Sequence, residues 1–231
     1  MSNRLDTIIS LVPKCDVVAD IGTDHAYVPI QLIKKGIASE CIACDLRKGP
    51  LDIAKKNIQQ NGLDNKIKTR LGGGLQVLNH NEVNCVIIAG MGGVLIKNIL
   101  EEGKEKLSRD TIIIAQPNIY QDKLRQWFYQ NGYDIYNEKL VLEDKKMYTI
   151  MCAKRVCTKR KVDEIKYYIG DNLYKEPLYK MYLCNMINKY KRALHGVEKM
   201  KKKDVCLQKN YEWLINNLEK ELKNIIEGDG L

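Results

Sequence analysis

No apolar run in this chain is long enough to cross a bilayer, which argues against a helical membrane protein. The opening residues, Met1-Ser2-Asn3-Arg4-Leu5-Asp6, lack the apolar core of a signal peptide, so a cytoplasmic protein is expected. There is no G-x-G-x-x-G after the first apolar run, where a dinucleotide-binding turn would need it, and an NAD-dependent dehydrogenase ranks last for that reason. Cys41 and Cys44 form a C-x-x-C with no second such pair. Inside a strand, side chains three apart point to opposite faces, so buried thiols are expected there and no metal site.

Positive charge is unevenly spread. Residues 1–153 hold 20 Lys and Arg against 18 Asp and Glu, whereas residues 154–231 hold 18 against 11. A basic C-terminal third suits a polyanion, nucleic acid first. The competing reading is a solvated helical surface in a lysine-rich protein.

The stretch Val17-Val18-Ala19-Asp20-Ile21-Gly22-Thr23-Asp24-His25-Ala26-Tyr27 reads as strand, tight turn and helix. A helix over residues 3–12 precedes it and stops at Pro13. Further strands are expected at Cys41–Asp45, Ile67–Leu71, from Asn84 to Ala89 and at Thr111–Ala115. Helices are expected from Tyr27 to Lys35, Pro50 to Asn61, Val94 onward and Gln121 to Gln130. Three short segments follow, Tyr133–Tyr136, Lys139–Leu142 and Tyr148–Lys154, the last two as the strands of a hairpin around Glu143-Asp144-Lys145-Lys146. Five strand–helix repeats and a hairpin specify an α/β fold: a Rossmann-like, doubly wound, mostly parallel seven-stranded sheet with an antiparallel edge. Past Arg155, Leu183, Ile187, Tyr190, Leu194 and Val197 form one seam, and Leu207, Tyr211, Leu214, Leu218 and Ile225 another. They predict an antiparallel coiled-coil hairpin. Two domains follow, residues 1–157 and 158–231.

In an open parallel sheet, ligands sit beyond the carboxyl ends of the strands where strand order reverses. The chain puts Asp20 at the end of its first strand and Asp45 at the end of its second. A carboxylate at the second position accepts hydrogen bonds from both ribose hydroxyls. Gly72, Gly73 and Gly74 remove side chains where a flat ring could lie, or form only a flexible turn. Ala89-Gly90-Met91-Gly92-Gly93 gives a bare loop before a helix, and Gln116-Pro117-Asn118 aims amides at the same crevice. Asp24 would repel a pyrophosphate. A cofactor without phosphate, bearing a sulfonium and an amino group, would be drawn to Asp20 and Asp24, and that cofactor is S-adenosyl-L-methionine. The cofactor-binding candidates are therefore Asp20, Gly22, Thr23, Asp24, Asp45, Leu46, Gly72, Gly73, Gly74, Ala89, Gly90, Met91 and Gly92.

Asp20-Ile21-Gly22-Thr23-Asp24-His25-Ala26-Tyr27, Ala89-Gly90-Met91-Gly92-Gly93, Gln116-Pro117-Asn118 and the basic helical tail together resemble the bacterial tRNA (adenine-22-N1) methyltransferase family, TrmK. The resemblance implies methylation of ring nitrogen N1 of an adenine in the tRNA D-arm region. The family commonly has Gly-Asp-Gly after the third strand, its acid bonding the cofactor's adenine amine; Gly73 stands there in this chain. N1 of neutral adenine already carries a lone pair, so no strong base is needed; the protein must extrude the base, align it and shield it. The Asn/Asp-Pro-Pro-aromatic ending of amino-methyltransferases is absent, in keeping with a ring-nitrogen target.

Catalytic candidates are Asp24, His25, Tyr27 and Asn118. His25 and Tyr27 would contact or stack on the base, Asn118 would bond its edge, and Asp24 would orient His25 or receive the cofactor's amino group. His25 as a strand-end cap and Tyr27 as a core contact remain open. Lys189, Lys191, Arg192, Lys199, Lys201, Lys202 and Lys203 would grip the RNA backbone, or simply form a solvated tip on a packing or dimerising helix pair. A monomer acting on tRNA is expected. Two rivals stand beside this: a methyltransferase for a small molecule or another macromolecule, which leaves the basic arm unexplained, and a non-catalytic RNA-binding scaffold, which leaves Asp20, Gly22 and Asp45 unexplained.

Overall fold

The computed structural model describes residues 3–158, 160–200 and 204–228. The chain divides into two compact units, residues 1–162 and 163–231. In the first, α1 (Asn3–Leu11) leads into β1 (Cys15–Ile21), α2 (Tyr27–Lys34), β2 (Ala38–Asp45), α3 (Lys48–Gln60) and β3 (Ile67–Leu71). Then come β4 (Cys85–Met91), α4 (Gly93–Gly103), β5 (Ile112–Pro117), α5 (Gln121–Gln130), β6 (Tyr133–Glu143) and β7 (Lys146–Arg155).

The strands form one seven-stranded sheet in the order β3-β2-β1-β4-β5-β7-β6. The first five are parallel; β7 pairs antiparallel with both β5 and β6. Helices cover both faces, so the central strands are apolar without alternation: Val18, Ala19 and Cys85 through Ile88 are all buried. The helices present their apolar residues three and four apart, as with Leu51, Ala54 and Ile58 of α3. Strand order reverses between β1 and β4, and that switch point sets the site.

Two details differ from the sequence reading. Tyr133–Tyr136 and Lys139–Leu142 are not separate segments but parts of one strand, β6, interrupted by a bulge: Ile135 pairs with Ala153 and Asn137 with Cys152, leaving Tyr136 as the extra residue. The polar stretch between them continues the ladder because Glu138 is buried against Arg125 of α5, Nε to Oε1 at 2.8 Å. The hairpin turn is also tighter than four residues. Glu143 pairs with Lys146, and Asp144 and Lys145 both take positive φ, 49° and 63°, as a two-residue turn requires.

The second unit contains α6 (Glu164–Ile169), a short 3-10 turn at Leu173–Lys175, α7 (Tyr179–Glu198) and α8 (Val205–Gly228). The last two pack together and run antiparallel, since the Tyr179 hydroxyl donates to Glu221 at 3.2 Å while Tyr190 meets Tyr211 near the other end. Leu183, Ile187, Val197, Leu214 and Leu218 of the two seams are buried. The α6 helix was not foreseen: six residues are too few to show a helical period.

Candidate active site

Two carboxylates meet at the carboxyl edge of the sheet. Asp20, the penultimate residue of β1, is almost fully covered, and its Oδ2 accepts the Thr23 hydroxyl at 2.6 Å. Burial pushes its carboxyl up to about 6; the Thr23 bond opposes that shift and the negative charge of Asp45 adds to it. Asp45 ends β2, equally covered, and accepts the backbone N–H of Arg47 at 2.9 Å and of Asp24 at 3.3 Å. The turn between β1 and α2 is fastened to β2 by Gly22 and Thr23, whose N–H groups both donate to the Cys44 carbonyl at 2.8 Å. Gly22 has φ +78°, and a Cβ there would stand 2.3 Å from the Met91 methyl, so glycine serves both the turn and the approach.

A second wall is made by the end of β4. Ala89 pairs with Gln116 and Met91 with Pro117, so Gly90, at φ +78°, is the extra residue of a bulge. Its N–H and C=O are met by two side chains, Gln116 of β5 and Asn118 just past that strand's end. Gln116 Oε1 accepts the Gly90 N–H at 3.2 Å, and Asn118 Nδ2 donates to the Gly90 carbonyl at 2.8 Å. Gln116 Nε2 in turn donates to Asn118 Oδ1 at 3.0 Å.

These walls enclose a cavity of about 760 Å³. Among the cofactor candidates, Asp20, Gly22, Thr23, Asp24, Asp45, Leu46, Gly72, Gly73, Gly74, Ala89, Gly90 and Met91 line it; His25 and Tyr27 stand at it too. Gly92 is not on its wall. It caps α4, against Ile119. Asn118 is not on the wall either, but is one hydrogen bond from Gly90, which is. Sequence reasoning missed Arg4, Leu5, Ile21, Val28, Arg47, Leu95, Ile99 and Glu102. The helical period of Leu95 and Ile99 marked them as apolar without showing that they face a cavity. Arg4 carried no signal: its Nη1 reaches Gln116 Oε1 at 2.5 Å across 112 positions of sequence, and it is paired with Glu143.

Residues 1–151 match the family model described as "Methyltransferase domain". The chain belongs to the methyltransferase family. The tRNA (adenine(22)-N(1))-methyltransferase of Bacillus subtilis (strain 168) is 40% identical over 154 residues, covering 67% of this methyltransferase and 65% of that protein. The aligned stretch thus spans slightly less than two thirds of the relative. Streptococcus pneumoniae Sp1610, solved in complex with S-adenosyl-L-methionine, superposes with TM-score 0.85 at 32% identity, covering 96% of this chain and 99% of that one. M. capricolum TrmK, solved with the cofactor product S-adenosyl-homocysteine, gives 0.83 at 29% identity, with 97% and 99% covered.

At the rim of the methyltransferase cavity, the His25 and Tyr27 rings stack with centroids 5.3 Å apart. Asp24 Oδ2 lies 3.3 Å from His25 Nε2, and Asn57 Nδ2 holds the His25 carbonyl at 2.9 Å. Tyr27 is half exposed rather than a core contact of its helix. Cys41 and Cys44 are buried in β2, and burial drives both thiols upward, Cys44 to about 12. Among the described residues, no group of three or more His, Cys, Asp or Glu is placed to hold a metal, and no helix is long and apolar enough to cross a membrane. In the second unit Lys189, Lys191, Arg192 and Lys199 are exposed. Lys191 pairs with Glu219 at 2.6 Å, and Lys189 lies over the Tyr190 ring. Lys201, Lys202 and Lys203 lie outside the described residues.

Proposed function

We propose that this methyltransferase transfers a methyl group from S-adenosyl-L-methionine to N1 of adenine 22 in tRNA. The observation that carries the reading is the meeting of two covered carboxylates, Asp20 and Asp45, with bare backbone at Gly72–Gly74 and Gly90 around one cavity. The activity named for the B. subtilis relative, and the donor and product held by the Sp1610 and M. capricolum structures, support it.

The residues present fit the donor. Two backbone N–H groups fix the Asp45 carboxylate, and a carboxylate has about four acceptor positions, so two remain for a ribose diol. Asp20 offers an anion to a cationic group. Gly72, Gly73 and Gly74 border the cavity beside Leu46, and their bare backbone suits a flat ring. When bound, the donor supplies a methyl group on a positively charged sulfur. The protein's own part is to hold and shield the acceptor. His25 and Tyr27 give a ring platform at the mouth on which an extruded base stacks. A methylated ring nitrogen is cationic, and the Asp24 carboxylate faces that charge from the rim. Val28, Leu95 and Ile99 supply apolar wall that keeps water out.

In the same reading, residues 1–157 form the donor-binding catalytic domain and residues 158–231 the tRNA-binding domain. Lys189, Lys191, Arg192, Lys199, Lys201, Lys202 and Lys203 neutralise phosphates. The protein acts in the cytoplasm as a monomer.

The test is incubation with unmodified tRNA and methyl-labelled donor, followed by mass spectrometry of the nucleosides. One 1-methyladenosine per tRNA is expected, and none when guanine replaces adenine 22. Label in another nucleoside, or no label, contradicts the reading.

A further inference from the structure

The bulge at Gly90 has a second consequence, which rests on the activity proposed above. We infer that Asn118 reads the N6/N7 edge of the target adenine, and that Gln116 and Arg4 are positioning residues that fix the orientation of its amide.

The Gln116 side chain is wholly buried. Its Oε1 faces two donors, Arg4 Nη1 at 2.5 Å and the Gly90 N–H at 3.2 Å. An amide rotated by half a turn would set its NH2 against both, so the oxygen stays there. The NH2 then faces Asn118, and only an oxygen can receive it; Asn118 Oδ1 does, at 3.0 Å. That leaves Asn118 Nδ2 toward the Gly90 carbonyl, where it donates at 2.8 Å. Turning the Asn118 amide over would put NH2 against NH2 and oxygen against oxygen. Two hydrogen bonds would be exchanged for two repulsions, so one orientation is selected.

A primary amide has two N–H donors and two acceptor lone pairs. The bulge uses one of each. Asn118 is exposed, so one donor and one acceptor remain, one hydrogen bond from the cavity wall at Gly90. Adenine presents a matching pair on its N6/N7 edge, an N–H donor beside an acceptor, and asparagine meets that pair with two bonds. Guanine presents two acceptors there, and its O6 would face Oδ1. Reading this edge also leaves N1 uncovered, as methylation of N1 needs. A residue whose only duty was the bulge would not distinguish one base from another.

The experiment compares tRNA carrying adenine with tRNA carrying 7-deazaadenine, which lacks the N7 acceptor, at the target position. The wild-type kcat/KM is expected to fall about tenfold with the analogue, the cost of one unpaired donor. Asn118→Ala is expected to lose about tenfold on adenine and to treat both tRNAs alike. Gln116→Glu keeps an acceptor for Arg4 and Gly90 but cannot donate to Asn118; it should lose most of the 7-deaza penalty, with the donor's Kd unchanged. A structural role alone would lower the melting temperature and leave the penalty intact. Equal wild-type rates on the two tRNAs overturn the inference, as does a full penalty in Asn118→Ala. That comparison stands whether or not Gln116→Glu folds. A wild type that methylates neither tRNA overturns the activity reading itself.

Discussion

The Thr23 hydroxyl donates to Asp20 at 2.6 Å in a place where both side chains are nearly sealed from water. One hydrogen bond does not offset that burial, and the Asp20 carboxyl rises from 3.8 to about 6. Such a group lowers stability as it ionises. Below pH 4 it is protonated folded and unfolded alike; between 4 and 6 the unfolded chain ionises first; above 6 the folded protein carries the full cost. That cost is on the order of 2–3 kcal/mol. Asp20→Asn is therefore expected to melt several degrees higher than wild type at pH 7.5 and no higher at pH 4, while binding the cationic donor at least tenfold more weakly. Melting curves across pH and a donor titration check both. A variant less stable at pH 7.5 contradicts the assignment.

Stability and function run together at the other side of the cavity. Arg70 of β3 grips Glu82 with two bonds, 2.6 and 2.5 Å, and also donates to the Val77 carbonyl at 2.8 Å. The fork holds the segment that follows Gly72–Gly74. The Arg70 bonds keep the Glu82 carboxyl at about 2, and the Asn79 N–H assists. A lowered carboxyl contributes stability above its unfolded value near 4.5 and loses it as pH falls through 2. Discounted for partial exposure, Glu82→Gln should cost about 2 kcal/mol at pH 7. Denaturant titrations should show the gap closing as pH approaches 2. A gap that widens in acid contradicts this.

Gly73 offers a gain-of-function test. Its backbone is extended, φ −96° and ψ 134°, which any residue can adopt. An added Cβ would stand 3.2 Å from Leu46 Cδ1, the end of an exposed and movable side chain. Gly73→Asp should therefore fold and restore the acid to which the family resemblance assigns the donor's adenine amine. Donor affinity is expected to rise three- to tenfold, about 1 kcal/mol for a charge-assisted bond. Unchanged or weaker binding in calorimetry contradicts the placement of the adenine against Gly72–Gly74.

The basic residues of the second unit should act through charge. Lys191 already faces Glu219, so the variant with most effect is Lys189→Ala, Arg192→Ala and Lys199→Ala together. Its tRNA affinity should fall at low salt, and the slope of log affinity against log salt should shrink by about 2. The donor's Kd should not move. A salt slope equal to wild type contradicts phosphate contact there.

Much of this architecture is legible in the sequence because its signals are local. Apolar runs marked the central strands, and each functional carboxylate follows its run directly, as Asp20 follows Val17–Ala19 and Asp45 follows Cys41–Cys44. What escaped depends on partners distant in sequence. Nothing near Arg4 reveals that it meets Gln116. The bulge at Gly90 exists only relative to β5, so Gln116 and Asn118 read as amides aimed at a ligand when part of their hydrogen bonding is owed to a backbone residue. The continuity of β6 across Asn137 and Glu138 likewise depends on Arg125, a charge in another element that makes a buried glutamate tolerable.

In this reading the carboxylates at the sheet's edge bind the methyl donor. Calorimetric titration of S-adenosyl-L-methionine into wild type and Asp45→Asn tests this, because the substitution keeps the side-chain shape while removing the charge and one of the two oxygens that accept backbone N–H groups. One donor per chain is expected in wild type and binding at least tenfold weaker in Asp45→Asn, which should also melt somewhat lower for the loss of one N–H bond to the side chain. Equal affinity in the two proteins, or no binding heat in wild type, would contradict it.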